Sequence, residues 1–301
     1  MSRRILVRIL SILTGITIIS GIGFAPAYAA APKSPDWVTT PEGLVHSSCV
    51  HTIPHGATFD QNSNSVVLAS GVKEQPFPQC SYSPLLAPGH AETTGAPSAP
   101  GAATTWEADS WWNSPQWLTG IVSTFVVPRA PSVDGSEDFF FSSLQSSGNF
   151  AIVQTVLRWE ENQWYIASEY YWGGNDVRGN YVAVSPGDSI STTVGTDNCS
   201  SGGDCSWFID GTDIRTGQET SLNINAGQPF ISAQGGVMEL AGSPACDQLP
   251  ASGNIDFRGI HVYGSSHQTM SPGWTVSNNG NNKGYCGVYV DTSATETYMP
   301  W

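Results

Sequence analysis

Three side chains with acid–base or hydrogen-bonding chemistry, Gln154, Glu169 and Glu239, lie in segments that read as β-strands. Strand side chains alternate between the two faces of a sheet. In the run from Ala151 to Trp159, residues 151, 153, 155, 157 and 159 share one face. All of these except Thr155 are apolar, so that face is read as core. Gln154 and Arg158 then project from the opposite face, beside Ile152 and Val156. Between Trp164 and Trp172, one face carries Tyr165, Ala167, Glu169 and Tyr171; the other carries Trp164, Ile166, Ser168, Tyr170 and Trp172. Glu239 shares a face with Val237. A sheet face bearing a glutamine, carboxylates and aromatics is a candidate cleft, and an ordinary solvated face is its alternative. Two carboxylates at a set separation can cleave a glycosidic bond; Glu169 and Glu239 would be that pair. Tryptophans 106, 111, 112, 117, 159, 164 and 172 would then be stacking platforms for sugar rings.

Other chemistries find less support. The chain has no G-x-S-x-G nucleophile elbow and no C-x-x-C pair. His46, Cys49, His51 and His55 cluster in a way that suggests a metal, but a disulfide is expected to take Cys49 and the histidines read as surface residues. His261 and His267 lack partners at ligand spacing. No metal or cofactor is expected. Asn198-Cys199-Ser200 fits a glycosylation sequon.

The elements that must position these residues are strands. Segments such as 120–128, 139–144, 150–159, 164–172, 189–194 and 236–240 are rich in β-branched and aromatic residues. Turn formers such as Gly173-Gly174-Asn175-Asp176 and Pro186-Gly187-Asp188 separate them. No sustained helical period occurs beyond the N-terminus. Ten or so such strands predict an all-β fold, a two-sheet antiparallel β-sandwich with a small N-terminal extension.

The N-terminus reads as an export signal over residues 1–29: Arg3, Arg4 and Arg8, an apolar run, and Ala27-Tyr28-Ala29 as cleavage site. A retained membrane anchor is the alternative reading. With the signal removed, a secreted protein with no membrane attachment is expected. Residues 30–83 form a block with two cysteines, read as a propeptide or an accessory module. Residues 84–105, rich in Pro, Ala, Gly and Thr, read as a linker, and 106–301 as the sandwich domain. A formal net charge of −14 repels phosphate backbones, so nucleic acid is excluded as a partner. A monomer is expected. Six cysteines in an exported chain predict disulfides. Cys199 with Cys205 is the local pair, and Cys49 with Cys80 and Cys246 with Cys286 are the simplest remainder among 15 connectivities.

Seven segments, taken in order, resemble the glutamic peptidases of the eqolisin type. They are Thr124–Pro128, Ile152–Thr155, Trp164–Trp172, Gly187–Ile190, Arg215–Glu219, Val237–Leu240 and Ile255–Val262. Together they span roughly half of the chain. The resemblance implies a lectin-like sandwich of the concanavalin jelly-roll type, a polypeptide substrate, and Gln154 and Glu239 as the catalytic pair. It also implies Glu169, Trp164 and Tyr171 as substrate-binding residues. The chain departs from the family pattern at Phe140–Gln145, where a tryptophan and an aspartate are missing. It departs again at Ala233–Gly236, where the family's Ala-Glu-Trp is replaced by Ala-Gln-Gly-Gly.

The implied chemistry is hydrolysis in acid. The glutamate would take a proton from water and return it to the leaving amine. The glutamine amide would donate to the oxyanion, a bond that strengthens as charge develops. A sugar-directed sandwich and a non-catalytic relative are the competing expectations.

Overall fold

The computed structural model describes residues 36–78, 80–82, 85–86, 104–146, 151–199, 205–227, 229–241 and 245–301. The expected signal and most of the expected linker lie outside the described residues. The first strands are β1 (Trp37–Thr40), β2 (Gly43–His46), β3 (Val50–Thr52), β4 (Thr58–Asp60), β5 (Ser65–Val67) and β6 (Leu85–Leu86). Next come β7 (Thr104–Val126), β8 (Glu137–Ser146), β9 (Ala151–Glu160), β10 (Gln163–Trp172), β11 (Asn175–Arg178) and β12 (Val182–Val184). They are followed by β13 (Ser189–Cys199), β14 (Cys205–Asp213), β15 (Glu219–Ala226), β16 (Phe230–Ala241) and β17 (Asn254–Gly264). Short strands β18 (Thr275–Val276), β19 (Asp291–Ser293) and β20 (Glu296–Pro300) end the chain.

The expected all-β, two-layer class is what these strands form. One layer runs β11–β10–β9–β8–β16–β7, with β12 beside β11 on the edge of β10. The other runs β15–β14–β13–β7–β17–β20–β19. Both contain β7, so the layers are halves of one sheet curled on itself. The first half of β7 pairs with β16 and the second with β13 and β17. The register with β16 slips between Asn113 and Leu118. Pro115, which has no N–H to give to a ladder, lies in that slip. Sequence reading found only the second half of this strand, because its first half follows a linker-like composition and alternates poorly.

The layers meet face to face. Thr155 Oγ1 donates to the Asp210 carbonyl at 3.0 Å, and the Ser168 N–H donates to Thr220 Oγ1 at 2.9 Å. Gly211 permits this approach, since a Cβ there would stand 2.4 Å from the Thr155 methyl. Phe140, Leu144, Val153, Leu157, Trp159, Trp164 and Ile166 fill the interface from the first layer, and Ile190, Val194, Trp207 and Ile209 from the second.

The N-terminal block is woven into this sandwich. β3 adds in parallel to β11 of the first layer, while β4 adds in parallel to β15 of the second. Ile53, Ala57, Phe59 and Val66 are buried in the main core. β1, β2 and β6 form a separate three-stranded sheet. That sheet brings Val45, with Cys49 just beyond it, against Phe139, Phe141, Ile152, Val156, Tyr171 and Val237, on the outer face of the first layer.

All three disulfides join the expected pairs: Cys49–Cys80, Cys199–Cys205 and Cys246–Cys286. Among the described residues, no helix is long and apolar enough to cross a membrane.

Candidate active site

The outer face of the first layer carries Gln154, and the alternation that put Gln154 and Arg158 opposite the core stripe holds. Ladder registers align Gln234, Ser143, Gln154, Glu169 and Arg178 in one row across β16, β8, β9, β10 and β11. Glu169 stands directly opposite Gln154 on the neighbouring strand. On the other side, Ser143 Oγ donates to Gln234 Oε1 at 2.6 Å, and Gln234 Nε2 donates to Gln145 Oε1 at 2.9 Å.

Glu239 belongs to a different row. It pairs with Phe139, which pairs with Arg158. Two interstrand spacings and four residues of strand rise separate its Cα from that of Gln154 by about 16 Å. The two side chains share a face, as alternation predicted, but the structure does not bring them together. A bulge at Gly235–Gly236 lets both Gln234 and Val237 face this side, so a residue count along β16 misjudges which one meets Gln154.

Trp164 requires a correction. It is 1% exposed within the inter-sheet core, packed on Trp159 with ring centroids 5.1 Å apart, and faces away from Gln154. Neither it nor Trp159 is available to stack on a substrate. Tyr171 lies on the Gln154 face, buried against Ile152 and Val156.

Around Glu169 lies an ionic network that alternation alone did not reveal. Arg158 Nη1 bonds Glu169 Oε1 at 3.1 Å, and Arg178 Nε lies 3.7 Å from the same oxygen. Arg178 Nε also bonds Asp176 Oδ2 at 2.8 Å, and both arginines donate to the Tyr181 hydroxyl. Burial pushes the Glu169 carboxyl up to about 7, against the opposing pull of the arginines. The available signal was the Asn175-Asp176-Val177-Arg178 alternation after a Gly-Gly turn, which is too short to rank above a loop.

A second residue missed by sequence reading comes from the N-terminal block. Glu42, in the turn between β1 and β2, accepts a hydrogen bond from Gln154 Nε2 at 2.8 Å. Glu42 is 1% exposed and Gln154 is fully buried. Nothing periodic marks Thr-Pro-Glu-Gly as more than a turn.

Members of the histidine cluster make other contacts. His46 stacks on Tyr82 at 3.6 Å, His51 stacks on Phe77 at 3.9 Å, and Cys49 is disulfide-bonded. No group of three or more metal-ligating residues occurs among the described residues.

No protein-family model and no curated protein matches the sequence. Among solved structures, the chain is similar to scytalido-glutamic peptidase bound to a peptide-based transition-state analogue. That match has 15% identity and a TM-score of 0.48, covering 65% of this chain and 98% of the other. A second structure of that peptidase, with a transition-state analogue inhibitor, matches at 16% identity and a TM-score of 0.48, over 66% and 99% of the two chains. SCP-B, a member of the eqolisin family of peptidases in complex with the tripeptide Ala-Ile-His, matches at 15% identity and a TM-score of 0.45, over 66% and 99%.

Proposed function

We propose that this protein is a secreted, acid-acting endopeptidase of the glutamic type, in which Gln154 stabilises the oxyanion. The observation that carries the reading is the Gln154 carboxamide. It stands on a carboxylate-rich face and donates to a carboxyl oxygen at 2.8 Å, the group a developing oxyanion would replace.

The carboxylate partner is the open part of the reading. The sequence resemblance favours Glu239 as general base and then acid, whereas strand register favours Glu169, the carboxylate opposite Gln154. We assign the acid–base role to Glu169. Its raised pKa keeps it protonated in acid, so it gives its proton to the leaving amine, and the carboxylate left behind takes one from the attacking water. Arg158 and Arg178 orient it. Three disulfides suit the secreted setting.

A non-catalytic sandwich is the second reading. One observation favours it: the position on β16 in Gln154's row is Gln234, an amide bonded to Ser143 and Gln145. One experiment separates the two readings. Purified protein is incubated with denatured protein at about pH 4, comparing the parent with Gln154→Ala, Glu169→Gln and Glu239→Gln. With Glu42→Ala in each form to free the Gln154 amide, the peptidase reading expects cleavage, and its loss when Gln154→Ala or Glu169→Gln is added. Glu239→Gln failing while Glu169→Gln works would return the acid–base role to Glu239. Absence of cleavage by every form, with folding intact by circular dichroism, sinks the peptidase reading.

A further inference from the structure

We propose that the turn between β1 and β2 is a resident occupant of the Gln154 face, an intramolecular inhibitor whose Glu42 carboxyl takes the place of a product carboxylate. The inhibitory part of this inference rests on the peptidase reading; the clasp itself does not.

Hydrolysis of a peptide bond leaves a carboxyl group where the scissile carbonyl was, so the donor that serves the oxyanion also binds the product acid. Glu42 offers Gln154 such a group at 2.8 Å. The rest of the turn is fixed around it. The Thr40 hydroxyl donates to the Gly43 carbonyl at 3.0 Å and accepts from the Glu42 N–H at 3.2 Å. Arg158 Nη2 reaches the Thr39 carbonyl at 3.4 Å, and the Trp106 indole N–H reaches the Pro41 carbonyl at 3.5 Å. Gly43 has φ +130°, a conformation side chains rarely adopt, which lets the chain reverse directly after Glu42. Substrate and turn cannot occupy this face together, because Glu42 holds the Gln154 amide and, with the turn in place, Gln154 and Glu169 are both buried.

The charge around Glu42 indicates the form in which it enters. Facing it are Gln154 on β9, Glu169 and Tyr171 on β10, and Asp176 and Arg178 on β11. Arg158 lies beyond Glu169, and His51 of β3 beside Asp176. Burial first, then Asp176 and Glu169, hold the Glu42 carboxyl well above its ordinary pKa, against Thr40 and Arg178. Four acceptor oxygens, Glu42 Oε2, Gln154 Oε1, Glu169 Oε2 and Asp176 Oδ1, have no hydrogen-bond donor among the described residues. Protons on Glu42 and Glu169 supply donors to such a set. Glu42 therefore binds in its neutral form, and the clasp tightens in acid and loosens toward neutral pH. Acid alone would not release the block. Opening requires either a rise in pH or cutting of the turn.

The test uses the full chain. Glu42→Ala removes the clasp, while Glu42→Gln keeps an acceptor for Gln154 and cannot ionise. Hydrogen exchange over residues 38–45 and across β9 is read with cleavage of denatured protein at about pH 4. Glu42→Ala is expected to lower protection over 38–45 by roughly tenfold or more and to raise cleavage. Glu42→Gln is expected to keep the protection, and to lose less of it than the parent between about pH 4 and 7. Unchanged exchange in Glu42→Ala overturns the clasp. Faster exchange without faster cleavage, in a parent that does cleave, overturns the inhibition. Faster exchange with no cleavage by any form supports the clasp and fails the peptidase reading instead.

Discussion

The first layer buries both of its faces, and the two are chemically opposite. Toward the second layer it presents Phe140, Leu144, Val153, Leu157, Trp159 and Trp164. Some hydroxyls there are bonded, as Thr155 is to the Asp210 carbonyl and Ser142 to Ser123 at 2.8 Å, while Ser168 Oγ and the Trp164 indole N–H have no hydrogen-bond partner among the described residues. Toward the N-terminal block it presents Gln154, Arg158, Glu169 and Arg178 among Phe139, Phe141, Ile152 and Val156, with acceptor oxygens left over. Degree of burial does not separate the two faces; polarity does. A buried ionic network is commonly no more stabilising than apolar residues of the same volume. The difference teaches that stability alone does not account for the Gln154 face.

That contrast can be broken or sharpened by measurement. The largest effect is expected on the apolar face. Phe140→Ala should lower the unfolding free energy by about 3–5 kcal/mol, read by urea denaturation. A loss under about 1 kcal/mol would mean that the layers pack loosely and that the contrast is overstated. On the polar face, Gln154→Ala in the Glu42→Ala form should lower turnover roughly 10²–10³-fold with a smaller loss of unfolding free energy than Phe140→Ala. A collapse of the fold instead would make Gln154 a structural residue.

The disulfides come next. Replacing Cys246 and Cys286 by Ala opens a 40-residue separation, against 6 for Cys199 and Cys205. The longer loop should cost about 2–4 kcal/mol and the shorter one less. Equal losses would argue against a loop-closure origin.

Each face also holds a carboxyl raised to about 7: Asp138 at the end of the apolar face and Glu169 on the polar one, both chiefly by burial. A raised native pKa means the folded state binds the proton more tightly. The resulting stabilisation is full below the unfolded values and is lost as pH rises through about 7. Unfolding free energy should fall across that window, and Asp138→Asn should flatten the fall. A stability that rises over the same range would contradict both assignments. The smallest effect is expected from Glu239→Gln, which should leave turnover within about threefold. A larger loss would restore the pairing that sequence favoured.

The alternation of β9 and β10 was readable directly, because a period of two needs only local sequence. It put Gln154 and Arg158 opposite the apolar stripe of β9, and Glu169 and Tyr171 opposite Trp164 on β10. The all-β class was legible for the same reason, since it follows from residue type and spacing, whereas the cysteine pairs were the simplest of 15 connectivities, which spacing alone does not fix. Which residues on the Gln154 face meet was not legible. Strand order, ladder register and a glycine bulge in β16 decide it, and each depends on partners distant in sequence. Those registers join Gln154 to Glu169 and separate it from Glu239. The N-terminal block was visible only as a segment of different composition. Tertiary structure alone laid β3 and β4 on the edges of both layers and put Glu42 on Gln154, since a turn of Thr-Pro-Glu-Gly carries no local mark of what its glutamate will touch.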